Sequence, residues 1–344
     1  MLKQNILLLI ILFFISVQLY SQTTYKIDDF SKKYVGVVTI DEGYENEIFK
    51  KGSISIIDTK TNESIIKIES DELTFDVDIN GKIKTNVLEL PYGEQSIIIY
   101  QDFNFDGIKD LAVLDGQFSC YHGPSFQIYI ETEKGLTHSF EFTQLAQEYC
   151  GMFQVDYENK TLHTMTKSGC CWHQFSTFKV VNNLPKPQLI IEEDATEFPY
   201  FNSTIIEWNG DKKTEKTVKT LDIDQEGITK VLSFQLLKSK KEVILFNYND
   251  RTLNYALLTP KQTVEFSFPV ETIYQNPDFK INKPENLLTF KNENAIYKIY
   301  LTESKVGIKV NVNGKIYDLK GDYNTVKGSL KDITKVELDN VIAE

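Results

Sequence analysis

The run Ile97-Ile98-Ile99-Tyr100-Gln101-Asp102-Phe103-Asn104-Phe105-Asp106-Gly107-Ile108-Lys109-Asp110-Leu111-Ala112-Val113-Leu114 sets a D-x-N-x-D-G-x-x-D loop between two short apolar runs. Side-chain oxygens at positions 1, 3 and 5 turn inward around a tight loop, and a glycine at position 6 permits the sharp bend. Position 7, Ile108, offers its backbone carbonyl, and position 9 is Asp110. Asp102, Asn104, Asp106, Ile108 and Asp110 are therefore the candidate ligands of a calcium ion, a hard cation that takes six to eight oxygens. An EF-hand would need a bidentate Glu at position 12, and that residue is Val113. The flanks are apolar runs of strand length, so the expectation is a strand–loop–strand unit in a β protein.

The calcium loop resembles that of the integrin-α-type, FG-GAP-like β-propeller repeats. The rest of the chain reads in the same style. Phe and Tyr number 22 and 18, and Ile, Val and Thr are frequent, which favours strands. Before the loop, strand candidates are Tyr34–Ile40, Gly52–Ile57, Ser64–Ile68 and Ser96–Tyr100. After it come Phe126–Thr132, His138–Phe142, Thr161–Thr166 and Phe175–Val181, with one helical turn expected in Thr143–Tyr149. Asn183-Leu-Pro-Lys-Pro187 and the acidic Glu192-Glu-Asp194 read as a break, which suggests a boundary near 185–200. Beyond it, Val231–Leu237, Val243–Asn247, Tyr255–Leu258, Val264–Phe268, Ile296–Leu301 and Gly307–Val312 are strand candidates. An Asn313-Gly314 hairpin signal leads into Ile316–Leu319. The fold expected is all-β: a propeller-like or sandwich-like domain over residues 22–195, then a second β-rich region over 196–344.

The N-terminus has the layout of a secretory signal peptide: Lys3, the apolar run Ile6–Val17, then a polar exit with Ser21. The run is too short for a spanning helix, which needs roughly 20 apolar residues. Residues 1–21 are assigned to the signal, with cleavage after Ser21. No later stretch reaches spanning length, so the mature protein is expected to be soluble, in the periplasm or secreted. The formal net charge is -12, which argues against a nucleic-acid partner.

Export governs how Cys120, Cys150, Cys170 and Cys171 are read. Four cysteines in an oxidising compartment favour disulfides. A bridge between neighbours is strained, so Cys170 and Cys171 are each expected to pair elsewhere, with Cys120 and Cys150. The competing reading is zinc on Cys120-x-His122 and Cys171-x-His173, although neither spacing is a usual zinc spacing. No HExxH, G-x-S-x-G, P-loop or dinucleotide fingerprint occurs, and no enzyme activity is expected. The stretch Asp222-Ile-Asp224-Gln-Glu226-Gly227-Ile-Thr-Lys230 looks like a weakened copy of the calcium loop, with an ammonium at position 9.

Downstream of the loop, Asp115-Gly116, Tyr121-His-Gly-Pro-Ser-Phe126-Gln-Ile-Tyr129, Phe140-Glu-Phe142, Leu145, Asp156-Tyr-Glu-Asn-Lys160 and Ser168-Gly169-Cys-Cys-Trp-His follow in order. In this order residues 33–195 resemble a bacterial family of calcium-binding, β-propeller-like periplasmic immunity proteins that inhibit lysozyme-type effectors in xanthomonads. The resemblance implies a β-propeller-like domain, calcium on the ligands named above, and a peptidoglycan hydrolase as partner. The function expected is that of a non-enzymatic immunity-type inhibitor. The alternative is a calcium-stapled envelope or surface protein that binds a glycan or another protein.

Overall fold

The computed structural model describes residues 22–89, 93–269 and 277–344. The expected signal peptide lies outside the described residues. The strand signals translate into a series of meanders, each built from consecutive strands. The first sheet joins β1 (Thr23–Ile27), β2 (Tyr34–Ile40), β3 (Lys50–Asp58) and β4 (Ser64–Leu73) in sequence order. Its strands alternate as a one-sided sheet must: Tyr34, Val38 and Ile40 on β2 and Ile54 and Ile56 on β3 are buried. The second sheet joins β5 (Ile98–Gln101), β6 (Asp110–Ser119), β7 (Gly123–Thr132) and β8 (Gly135–His138), again in order. The candidate calcium loop is the β5–β6 hairpin connection, with Gln101 opposite Asp110.

A helix, α1 (Phe140–Gln147), follows β8 where a strand was expected over His138–Phe142. Ser139 ends the strand and caps the helix, its hydroxyl accepting the Phe142 N–H at 3.5 Å. The helix buries Phe142, Leu145 and Ala146, spaced three and four residues apart on one face.

The third sheet contains β9 (Gln154–Asp156), β10 (Thr161–Ser168), β11 (Trp172–Val181), β12 (Leu184–Asp194), β13 (Tyr200–Asn209) and β14 (Lys212–Leu221). The break expected at Asn183–Pro187 is instead a two-residue hairpin followed by a strand. Asn182 and Asn183 both take the left-handed conformation, at φ 53 and 58. That is the demand of the type I′ turn, which Asn meets better than most residues. Pro185 and Pro187 fall in the first four residues of β12, where a missing N–H is best tolerated.

The fourth sheet is built on β15 (Ile228–Gln235), β16 (Glu242–Tyr248), β17 (Thr252–Leu258) and β18 (Val264–Phe268). The fifth is built on β19 (Phe279–Asn282), β20 (Leu287–Asn292), β21 (Ala295–Leu301), β22 (Val306–Val312) and β23 (Lys315–Lys320). Asn313 and Gly314 form the β22–β23 hairpin turn, as the sequence signal requires. The C-terminal segment returns to both sheets. β24 (Lys327–Gly328) pairs with β15, and β25 (Val341–Ala343) adds in parallel to β19. The architecture is thus all-β, in several antiparallel sheets with no closed barrel among the described residues, consistent with a propeller-like or sandwich-like fold.

The chain divides into two compact units. One comprises residues up to Ser168, His173–Ile190 and Glu207–Lys213. Its core runs from Ile27 through Ile54, Phe103 and Phe126 to Phe153 and Phe178. The other comprises Gly169–Trp172, Ile191–Ile206 and Thr214–Glu344. Its core is aromatic, with Phe268 stacked on Phe290 at 4.6 Å and Phe290 on Tyr297 at 4.7 Å.

Asn340 clips the C-terminal segment to that second core. Fully buried, it accepts the Leu253 N–H at 2.8 Å, donates to the Leu253 carbonyl at 3.0 Å and donates to Asp278 at 3.1 Å. Asn340→Ala is expected to cost about 2–4 kcal/mol, because it orphans buried backbone groups. Urea unfolding followed by tyrosine fluorescence checks this, and a midpoint unchanged from wild type would show that the clip is dispensable.

Candidate functional site

The β5–β6 loop is organised by its own acidic side chains. The Asp106 N–H lies 3.2 Å from both Asp102 Oδ1 and Asn104 Oδ1, so these two oxygens sit side by side. Asp102 Oδ2 accepts the Gly107 N–H at 2.8 Å, and Asp106 Oδ1 accepts the Ile108 N–H at 2.8 Å. Phe105 and Gly107 carry the left-handed turn, at φ 64 and 89. Only glycine takes such a conformation without steric cost, which accounts for its place at position 6. Asn104 is buried and reaches out of the loop, its amide donating to Asp106 at 3.0 Å and to Asn183 at 3.3 Å. The β11–β12 turn is thereby tied to the loop.

Asp110 plays a different part. It is fully buried at the start of β6, and its two oxygens accept the N–H groups of Phe103 at 2.7 Å and Glu131 at 2.9 Å. One carboxylate thus closes the loop and fastens it to β7. Burial pushes the Asp110 carboxyl up to about 7; the two N–H groups pull it back, and the charges of Asp106 and Asp102 push it further. Glu131 is itself buried and accepts the Tyr34 hydroxyl at 2.5 Å and the Lys33 ammonium at 2.6 Å. Burial and that carboxylate hold the Tyr34 hydroxyl up at about 12. The loop is therefore braced through Asp110 and Glu131 to β2.

The donor set suits a hard divalent cation in kind, with three carboxylates, one amide oxygen and the Ile108 carbonyl on nine consecutive residues. In arrangement, the oxygens serve the loop's own N–H groups. Among the described residues no three His, Cys, Asp or Glu side chains converge as a preformed metal cage. The weakened copy closes on itself differently: the Lys230 ammonium pairs with Asp224 at 3.3 Å, standing where a cation would be needed.

The cysteines correct the expectation. Cys120 is bonded to Cys150, and Cys170 to Cys171, so the adjacent pair does not reach the other two. The backbone decides it. Cys120 donates its N–H to the Tyr149 carbonyl at 3.2 Å, and the Gly151 N–H reaches Ser119 Oγ at 3.1 Å. These two segments run side by side, which brings the Cys120 and Cys150 Cα atoms to 4.7 Å. Cys170 and Cys171 sit together in the turn between β10 and β11. With no free thiol, the zinc reading of Cys120-x-His122 and Cys171-x-His173 falls. The Cys120–Cys150 bridge closes a separation of 30 residues, so Cys120→Ser with Cys150→Ser is expected to cost about 3–4 kcal/mol. Replacing Cys170 and Cys171 closes no such loop and is expected to cost under about 0.5 kcal/mol. Denaturant unfolding of the two double variants checks the contrast, which equal losses would overturn.

The bridge also anchors a feature that the sequence does not advertise. Tyr121 and His122 both take left-handed backbone conformations, at φ 54 and 58. Neither is a glycine, so the turn is held there by its surroundings. His122 stacks on Phe49 at 5.2 Å and meets Glu72 at 3.1 Å. Tyr121 stands 62% exposed beside it. Buried Asp115 is satisfied by Ser125, Gln127 and Gln147 at 2.5–2.6 Å, which binds β6, β7 and α1 together. Glu131 and the Tyr121-His122 turn carry no pattern in one dimension, whereas the Asn182-Asn183 dipeptide was a readable I′ signal.

Comparison with known families and with characterised proteins finds no match. Among solved structures, the chain is similar to a Xanthomonas type IV secretion system related protein, at 20% identity and a TM-score of 0.45, over 58% of this chain and 96% of that one. It is also similar to prolyl oligopeptidase B from Galerina marginata, at 9% identity and a TM-score of 0.22, over 89% and 42% of the two chains. A third likeness is to TolB from Acinetobacter baumannii, at 8% identity and a TM-score of 0.20, over 87% and 66%. Likenesses this loose assign no activity. No helix among the described residues is long and apolar enough to cross a membrane.

Proposed function

We propose that this chain is an exported, non-enzymatic inhibitor of a peptidoglycan hydrolase, and that calcium on the β5–β6 loop stiffens the face that meets the enzyme. The observation that carries the proposal is the Ser119–Gly123 turn. A well-exposed tyrosine is held in a left-handed backbone beside a disulfide and the His122 contacts. An exposed aromatic presented on a braced hairpin turn supports a binding role. A rigid aromatic is also an efficient anchor, since it fills a cleft with little ordering cost. The enzyme class comes from the sequence resemblance over residues 33–195. The acidic balance of the chain suits a basic hydrolase, whose approach it would accelerate.

In this reading Asp102, Asn104, Asp106, Asp110 and the Ile108 carbonyl hold calcium. The ion supplies the positive charge that these crowded oxygens otherwise draw from loop N–H groups. Asp110 transmits the loop's position to β7 through the Glu131 N–H. The test is direct: the chain is added in excess to a panel of purified lysozyme-type and other peptidoglycan hydrolases, with calcium and with chelator. Inhibition of at least one enzyme that weakens with chelator is the expected result. Full activity across the panel in both conditions overturns the proposal.

A further inference from the structure

We infer that the outward face of the fifth sheet binds an acidic polysaccharide, with Lys298 and Lys309 on its carboxylates and the Tyr300 ring against a sugar. The inference is independent of the inhibitor proposal and concerns a different surface.

The face follows from strand alternation. Leu288, Phe290, Ile299 and Ile308 point into the core, so their neighbours point out. On that outward side the register aligns Thr289, Lys298, Lys309 and Asp318 across β20 to β23. Flanking rows add Lys291 beside Ile296, and Lys320 opposite Gly307. Five lysines, Lys280 of β19 among them, thus share a face with Asp318, in a chain whose net charge is -12, and Lys280 pairs with Glu344 at 3.0 Å. Among the described residues Lys291, Lys298, Lys309 and Lys320 pair with no carboxylate, although the chain has carboxylates to spare.

The Lys298–Lys309 pair is the informative one. Like charges directly opposite in an antiparallel sheet destabilise it, and Asp318, across from Lys309 on its other side, offsets only one of the two. Lys309 lies 5.6 Å over the Tyr300 ring, and the Tyr300 hydroxyl donates to Asp318 at 2.9 Å. The ring is therefore fixed beside the two ammonium groups. Exposed Ile296 and Ile316 and half-buried Asn311 complete a groove of about 420 Å³, which Glu285 also lines, so that Lys298 and Lys309 outnumber the one carboxylate in it.

This chemistry selects its ligand. A polyuronate places one carboxylate on every sugar and presents apolar C–H faces for Tyr300 and the two isoleucines. Nucleic acid fits poorly, since the face holds no arginine and a single aromatic ring on which a base could stack.

The test uses the full mature chain and defined oligogalacturonates, in calcium-free buffer at about 50 mM salt, with binding read by calorimetry. Wild type is expected to bind, and Lys298→Gln with Lys309→Gln to lose at least tenfold in affinity with an unchanged or higher melting temperature. Tyr300→Ala is expected to weaken binding by a similar factor, and Tyr300→Phe by less. Failure of wild type to bind overturns the inference, as does equal binding by the double lysine variant or by fully methyl-esterified oligomers. Poly-glutamate bound as tightly as oligogalacturonate also overturns it, and would assign the face to an acidic protein.

Discussion

Adding about 1 mM calcium to the metal-free chain is expected to raise its melting temperature by roughly 5–10 °C. The estimate takes calcium at about one hundred times its dissociation constant, which stabilises a protein by about 2.7 kcal/mol. In a chain of this size each kcal/mol shifts the midpoint by roughly 2–4 °C. Two variants separate binding from architecture. Asp106 is exposed, and its carboxylate serves only the loop. Asp106→Ala should leave the calcium-free melt within about 2 °C and abolish the response to calcium. Asp110→Ala removes the acceptor of two buried N–H groups. It should lose about 3 kcal/mol even in chelator, because those donors have no water to turn to. Differential scanning calorimetry in calcium and in chelator reads all three proteins. A wild-type melt that ignores calcium would falsify the metal site while leaving the Asp110 prediction standing, since that rests on hydrogen bonds alone.

The second large effect concerns the Ser119–Gly123 turn. Tyr121→Ala is expected to weaken inhibition of the target hydrolase at least thirtyfold, the loss of about 2 kcal/mol typical of an aromatic anchor. Its melting temperature should stay within about 2 °C of wild type, because the ring is exposed. His122→Ala removes the stack on Phe49 and the contact with Glu72. It should weaken inhibition less, by loosening the turn without deleting the anchor. Dose–response curves against the inhibited enzyme give both values. A Tyr121→Ala protein as potent as wild type would move the contact surface elsewhere.

Much of the fold was legible because strand signals are local. Tyr34–Ile40 and Val264–Phe268 stand in the structure with the ends that alternation and turn residues set. The Asn313-Gly314 hairpin is equally local, since its conformation is a property of those two residues. Two misreadings have the same origin. Pro185 and Pro187 signal a break, but proline excludes one hydrogen bond per residue, and the sheet absorbs that loss near the start of β12. His138–Phe142 was read as a strand on composition, whereas the Ser139 hydroxyl turns the chain into a helix there.

The residue types of the β5–β6 loop, its strand–loop–strand setting and the all-β class were determined by sequence alone, because they depend on spacing within about a dozen positions. Tertiary structure decided what the spacing could not. It paired Cys120 with Cys150 by laying two segments, 30 residues apart, side by side. It gave Asp110 to the N–H of Glu131, 21 residues on, and that glutamate's carboxylate to Tyr34 and Lys33. It also gathered lysines from five strands onto one face. Each of these is a contact between residues far apart in the chain, and its energy exists only once the backbone has brought them together.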